Sequence, residues 1–200
     1  MGRVSSRLPG LRQFAVYVFD YGAPVGFRIA VKHPERIIGI ISQAGNAYDE
    51  GLSPALEPLK AYWAAPADPE RRKAVKFIVE PDMVKGPYVH GVPSPELVSP
   101  DCGILDYFYL SRPGALDIQL DLLLDYGNTV KIYPKWQAYF RQHRPKLVAI
   151  WGKNDPFFTP PGAEAFKRDL PDADIEIIVG AHFLNDFVPE KVAAVVRKLL

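Results

Sequence analysis

Residues 16–26 read Val-Tyr-Val-Phe-Asp-Tyr-Gly-Ala-Pro-Val-Gly, and this stretch decides the fold. Residues 14–19 form an unbroken β-branched and aromatic run, the pattern of a strand covered on both faces in a parallel sheet. Asp20 follows, then a turn of small residues. From 23 to 33, the residues Val25, Phe27, Ile29, Ala30 and Val31 suit a mostly buried helix, which Pro34 stops. An Asp between strand and helix reads in two ways. It caps the helix by accepting backbone N–H groups, or a sharp turn lifts it clear of the sheet as a nucleophile.

Working outward, three further strands are expected at 37–42, 146–151 and 174–179. A helix is expected over 163–170 after Pro160-Pro161, and a closing amphipathic helix over 185–200. Strands alternating with helices predict an α/β fold with a parallel sheet. Residues 46–130 interrupt the pattern, at far more than loop length. They are rich in proline and aromatic residues, with short helical stretches at 53–64, 68–79, 103–110 and 114–126. Such apolar content argues against a solvated tail. The expected organisation is therefore a core of 14–45 and 131–200 with 46–130 inserted as a helical cap.

Composition narrows the function classes. A chain of 200 residues, 48% hydrophobic and 24% charged, can bury one core. A net charge of +1 without a basic run argues against nucleic acid as a partner. The single cysteine, Cys102, excludes internal disulfides and a cysteine-based metal cluster, which fits a reducing, cytoplasmic setting. No apolar run approaches the roughly 20 residues that span a bilayer, so no membrane partner is expected. Residues 1–13 read as a basic, irregular leader, and Met1 to Ser6 formally fit a myristoylation pattern too short to carry weight.

Three motifs carry chemistry: Val18-Phe19-Asp20-Tyr21-Gly22, Trp151-Gly152-Lys153-Asn154-Asp155-Pro156 and Gly180-Ala181-His182-Phe183. Each lies just past an expected strand, where a parallel sheet gathers ligand-binding groups. Asp155 reads as the acid partner of His182, with Asp49 and Glu50 as rivals. Asp155-Pro156 also reads as a turn starter, and His182 as a capping histidine. His33, His90 and His143 read as solvated or structural. Gly22 is expected to relieve crowding at the turn and Gly26 to let the next helix pack closely.

In this order the motifs resemble the α/β-hydrolase fold, in the Asp-nucleophile branch of haloalkane dehalogenases and soluble epoxide hydrolases. The resemblance implies Asp20 as nucleophile, His182 as the base that hydrolyses an alkyl-enzyme ester and Asp155 as its orienting acid. It implies no cofactor and no metal, and a small uncharged organic substrate. Tyr21 stands where dehalogenases carry a Trp that donates to the leaving halide; a phenol can donate as well. Epoxide hydrolases instead protonate the opening oxide from cap tyrosines, for which Tyr62, Tyr88, Tyr107, Tyr109 and Tyr126 are candidates. Asn46, Tyr48, Trp151 and Phe157 are expected to border the pocket.

Family members carry several strands ahead of the nucleophile strand, including a His-Gly turn that supplies half of the oxyanion hole. Residues 1–13 hold no equivalent, so the resemblance implies an N-terminally truncated scaffold. Residues 14–19 would then be an exposed edge that pairs with other chains, giving self-association. Two functions of different class follow. One is a dehalogenase-like hydrolase, with epoxide hydrolysis as the alternative; the other is a non-catalytic remnant serving as an interaction module. A serine-type esterase is a distant third, because no serine sits in an elbow.

Overall fold

The computed structural model describes residues 12–199. The myristoylation-type pattern and nearly all of the expected leader lie outside the described residues, as does Leu200.

Four strands form a parallel sheet in the order β1-β2-β3-β4: β1 (Phe14–Phe19), β2 (Ile37–Gln43), β3 (Lys146–Gly152) and β4 (Asp174–Ile178). Helix α1 (Gly22–Lys32) links β1 to β2. Between β2 and β3 come α2 (Glu57–Ala64), α3 (Pro69–Ala74), α4 (Pro81–Val89), α5 (Pro100–Leu110), α6 (Ala115–Val130) and α7 (Tyr133–His143). After β3 follow α8 (Pro160–Glu164), α9 (Phe166–Asp169), α10 (Leu184–Phe187) and α11 (Pro189–Leu199).

Side-chain alternation along each strand divides the core. Ile40, Leu147, Ala149 and Trp151 face one layer, where Phe27 of α1 meets Trp136 and Phe140 of α7 with ring centroids 5.1 and 5.5 Å apart. Phe166 of α9 closes that cluster at 5.5 Å from Phe140. Ile41, Val148 and Ile150 face the other layer, under Val192 and Val195 of α11. Full burial of each large apolar side chain is worth about 1.5–3 kcal/mol, so these contacts seat the helices.

The proline-rich insertion is helical because its prolines sit mostly where a helix can begin. Pro54, Pro69, Pro81, Pro95 and Pro100 all occupy the first turn of an α- or 3₁₀-helix, where their missing N–H costs nothing. Ser53, Asp68 and Ser99 cap three of these starts with side-chain oxygens.

Several expected elements differ. The helix expected over 163–170 is two short ones, α8 and α9, and the closing helix breaks into α10 and α11 at Pro189, which cannot donate to a helix interior. Segment 68–79 is α3 followed by a 3₁₀ turn, Lys76–Val79, and α4 was not expected at all. Among the described residues β1 pairs with β2 alone, and Tyr17 on it is 44% exposed.

Candidate active site

The site begins with a strained residue. β1 ends at Phe19, α1 starts at Gly22, and Asp20 between them has φ +43°. A left-handed conformation costs a non-glycine residue about 1–2 kcal/mol. The capping position falls on Tyr21 and no side chain caps α1, so the Asp20 carboxylate is not spent on the helix start. It faces a cavity instead, at the positive end of the α1 dipole, which favours an anion. Gly26 is required for packing, since a Cβ there would meet Val18 Cγ1 at 2.3 Å. Gly22 corrects the expectation of crowding: nothing lies within 4 Å of its would-be Cβ.

Asp155 follows β3 and is buried to 5% exposure. Its two oxygens divide the work. Oδ1 accepts the backbone N–H groups of Phe157 and Phe158 at 2.8 and 3.0 Å, closing the turn. Oδ2 lies 2.7 Å from His182 Nδ1. The turn contacts and the histidine contact are thus made together, one set by each oxygen. His182 is 1% exposed, and its Nε2 lies 3.4 Å from Asp20 Oδ2 without closing a hydrogen bond. Glu50 is engaged by Arg168 at 2.6 Å and Asp49 is exposed, so neither rival acid serves His182.

Burial alone would push the imidazole pKa down. The Asp155 carboxylate outweighs it, with Asp20 adding to the effect, and raises His182 to about 9. The ring is held among Phe19, Phe157, Phe158 and Phe183, with centroids between 4.8 and 6.2 Å away.

The cap bonds directly to this centre. α4 ends at Val89, so the Pro87 carbonyl in its last turn is free to accept from outside the helix. It takes the N–H of His182 at 3.0 Å and that of Phe183 at 3.4 Å. Tyr88 stacks on Phe183 at 4.0 Å, and Asn154 donates to the Gly91 carbonyl at 2.7 Å. From the sheet side, Gln43 donates to Asn185 at 3.0 Å and accepts from the Tyr17 hydroxyl.

A cavity of about 270 Å³ lies between sheet and cap. Asp20, Tyr21 and Phe157 are on its wall, as expected for them. Asn46, Tyr48 and Trp151 are not, which corrects the expectation drawn from their places near strand ends. All three point into the core. Tyr48 donates to Asp169 at 2.8 Å, Trp151 to the Phe158 carbonyl at 2.7 Å, and Asn46 to the Tyr48 carbonyl at 2.8 Å. Of the cap tyrosines only Tyr126 reaches the cavity. Its hydroxyl lies 3.1 Å from that of Tyr133, which accepts from Asn46 at 3.1 Å. Tyr62 is buried under Arg72, Tyr88 bonds Asp106 at 2.6 Å, and Tyr107 and Tyr109 are exposed.

Sequence reasoning missed Gln43, Pro87, Asn154, Asp106, Gln119 and the Tyr126–Tyr133 pair as a unit. The sequence carries no signal for Pro87: a proline frees the carbonyl four residues before it, and its own carbonyl is open here only because α4 ends at Val89. Among the described residues no group of His, Cys, Asp and Glu could hold a metal ion, and no helix is long and apolar enough to cross a membrane.

No family model matches the chain. It is 42% identical over 176 residues to YNR064C, an uncharacterized hydrolase of Saccharomyces cerevisiae, covering 86% of this chain and 61% of the relative. The chain thus spans less than two thirds of that relative's length. Among solved structures, a mutant of the haloalkane dehalogenase DatA from Agrobacterium tumefaciens superposes with a TM-score of 0.68 at 16% identity, over 94% of this chain and 66% of that one. Cfl2 from Burkholderia cenocepacia gives 0.65 at 16% identity, over 94% and 65%. The meta-cleavage product hydrolase CumD from Pseudomonas fluorescens gives 0.64 at 11%, over 94% and 65%. These likenesses show the fold: a parallel sheet with a cap-like helical insertion, the α/β-hydrolase fold.

Proposed function

We propose that the chain carries the centre of a hydrolase that works through an alkyl-enzyme ester on Asp20, of the haloalkane-dehalogenase type. One observation carries this reading: Asp20 sits at φ +43° with its carboxylate uncapped, on the cavity wall and 3.4 Å from His182 Nε2. An Asp oxygen attacks a saturated carbon of the substrate, the bond to the leaving group breaks with its electron pair, and an ester forms. Tyr21 and Tyr126 supply phenol donors at the cavity wall for the departing group.

Esterification consumes the Asp20 charge, and with it one of the two carboxylates that raise His182. The imidazole pKa then moves down, the direction that favours the neutral base in the second step. Neutral His182 takes a proton from water as the hydroxide adds to the ester carbonyl. The bond from that carbon to the alkoxy oxygen then breaks, His182 returns the proton to the departing alkoxide, and the alcohol leaves with the Asp20 carboxylate regenerated. Asp155 holds the ring and stabilises the cation.

Tyr126 favours a second reading, epoxide opening. Burial and its neighbours hold its pKa well above the usual range, so it stays protonated until an alkoxide, a far stronger base, forms beside it. Intact-mass spectrometry of His182→Gln separates the readings. A haloalkane adds its alkyl group alone, whereas an epoxide adds its whole mass. Absence of an Asp20 adduct with either class overturns the covalent mechanism and leaves the interaction-module reading.

A further inference from the structure

The cavity wall carries two polar side chains that the proposed chemistry does not use, Asp106 of α5 and Gln119 of α6. Around them the wall is apolar, with Leu59, Ile78, Met83 and Leu123 among its members. Both side chains are part-exposed, so they meet the cavity and solvent together. Asp106 Oδ2 takes the Tyr88 hydroxyl at 2.6 Å. Among the described residues no hydrogen bond or ion pair engages its Oδ1, and the Gln119 amide makes no side-chain hydrogen bond.

Asp106 is also held in a set place. Tyr88 donates to it while stacking at 4.0 Å on Phe183, the residue after His182. Asp106 and Leu110 lie on one face of α5, four residues apart, and that face reaches the cavity although no residue of the helix is buried. The other charged groups at the centre are Asp20 and Asp155 about the His182 imidazole. No Lys or Arg stands on the wall among the described residues.

We infer that Asp106, with Gln119, forms a cap-side subsite for a hydrogen-bond donor on the substrate's far end, an ammonium or hydroxyl group, and that it rejects carboxylates. This rests on the Asp20 reading for the reacting end. It narrows the substrate class to compounds bearing a displaceable group at one end and a donor at the other. Ammonium is favoured over hydroxyl because its bond to a carboxylate is charge-assisted.

The test separates binding from turnover. Titration calorimetry of the full chain with pentylamine, pentan-1-ol and pentanoate, none of which can react, should rank them in that order. Pentylamine should bind about tenfold more tightly than the alcohol. Asp106→Asn should erase most of that tenfold advantage, and Gln119→Leu should weaken the alcohol. Circular dichroism checks that each variant folds; if neither does, the wild-type ranking alone decides. Pentanoate binding as well as pentylamine, or an amine preference unchanged in a folded Asp106→Asn, overturns the subsite. That failure in a protein that still forms the Asp20 ester spares the nucleophile. The predicted ranking without any ester keeps the subsite and removes the nucleophile.

Discussion

Segment 86–92 and helix α5 both belong to the insertion, yet they meet the rest of the molecule in opposite ways. The first gives its Pro87 carbonyl to the His182 N–H, stacks Tyr88 on Phe183 and accepts from Asn154 at Gly91. The second buries no residue, and Ile104, Leu105 and Phe108 are 65%, 53% and 62% exposed. The cap is thus tied to the histidine loop through 86–92, whereas α5 is held to α4 through the Tyr88–Asp106 bond and turns an apolar face outward. With no fully buried residue, the outer face of α5 costs less to disturb than the anchored segment.

The largest effect should come from breaking the anchored end at its acid. Asp155→Asn keeps an oxygen for the turn but presents an amide to His182 Nδ1, which spoils the tautomer. Ester hydrolysis in single-turnover assays should fall about 10³–10⁴-fold, while formation of the Asp20 adduct persists. Near wild-type hydrolysis would mean that Asp155 only closes the turn.

Packing at the same end comes next. A Cβ on Gly152 would sit 1.9 Å from the Ala181 carbonyl oxygen. Gly152→Ala should therefore push the histidine loop away from β3 and cost about 3 kcal/mol, the upper range for overpacking, read from denaturant unfolding. Unchanged stability would show that this loop is as adjustable as α5.

The pH dependence probes the anchored end without mutation. The ordinary imidazole value is 6.5 and the folded one about 9, so the folded state binds the proton more tightly than the unfolded. The resulting stability is present in full below pH 6.5 and is lost as pH rises through about 9. Unfolding midpoints measured across that window should fall in wild type and flatten in Asp155→Asn.

Smaller still is Asn154→Ala, which removes one bond to the cap at Gly91 and should cost about 1 kcal/mol. Phe108→Ser, on exposed α5, should change stability by no more than about 0.5 kcal/mol. A loss of several kcal/mol there would show that the outer face of α5 is covered and would undo the contrast between the two ends.

Much of the sheet was legible because buried parallel strands are short apolar runs, and all four fall within a residue or so of their expected bounds. Helix α4 was not, since Gly86-Pro87 reads as a breaker when the sequence alone is considered. The site divides in the same way. Asp20, Asp155 and His182 could be found because each follows a strand, and a parallel sheet delivers strand ends to one edge. Asn46, Tyr48 and Trp151 share that proximity, yet their side chains turn into the core.

By itself the amino-acid sequence determined the alternation of strands and helices, the long insertion and the order of the three site residues, because hydrophobic period and turn chemistry act over a few neighbours. Only the tertiary structure decided which side chains of the insertion face the cavity. Tyr126, Asp106 and Gln119 line it while Tyr62, Tyr107 and Tyr109 do not. That choice depends on how each helix is rotated and docked, and here the docking is set by bonds between residues far apart in the chain, such as His182 to Pro87 and Asn154 to Gly91.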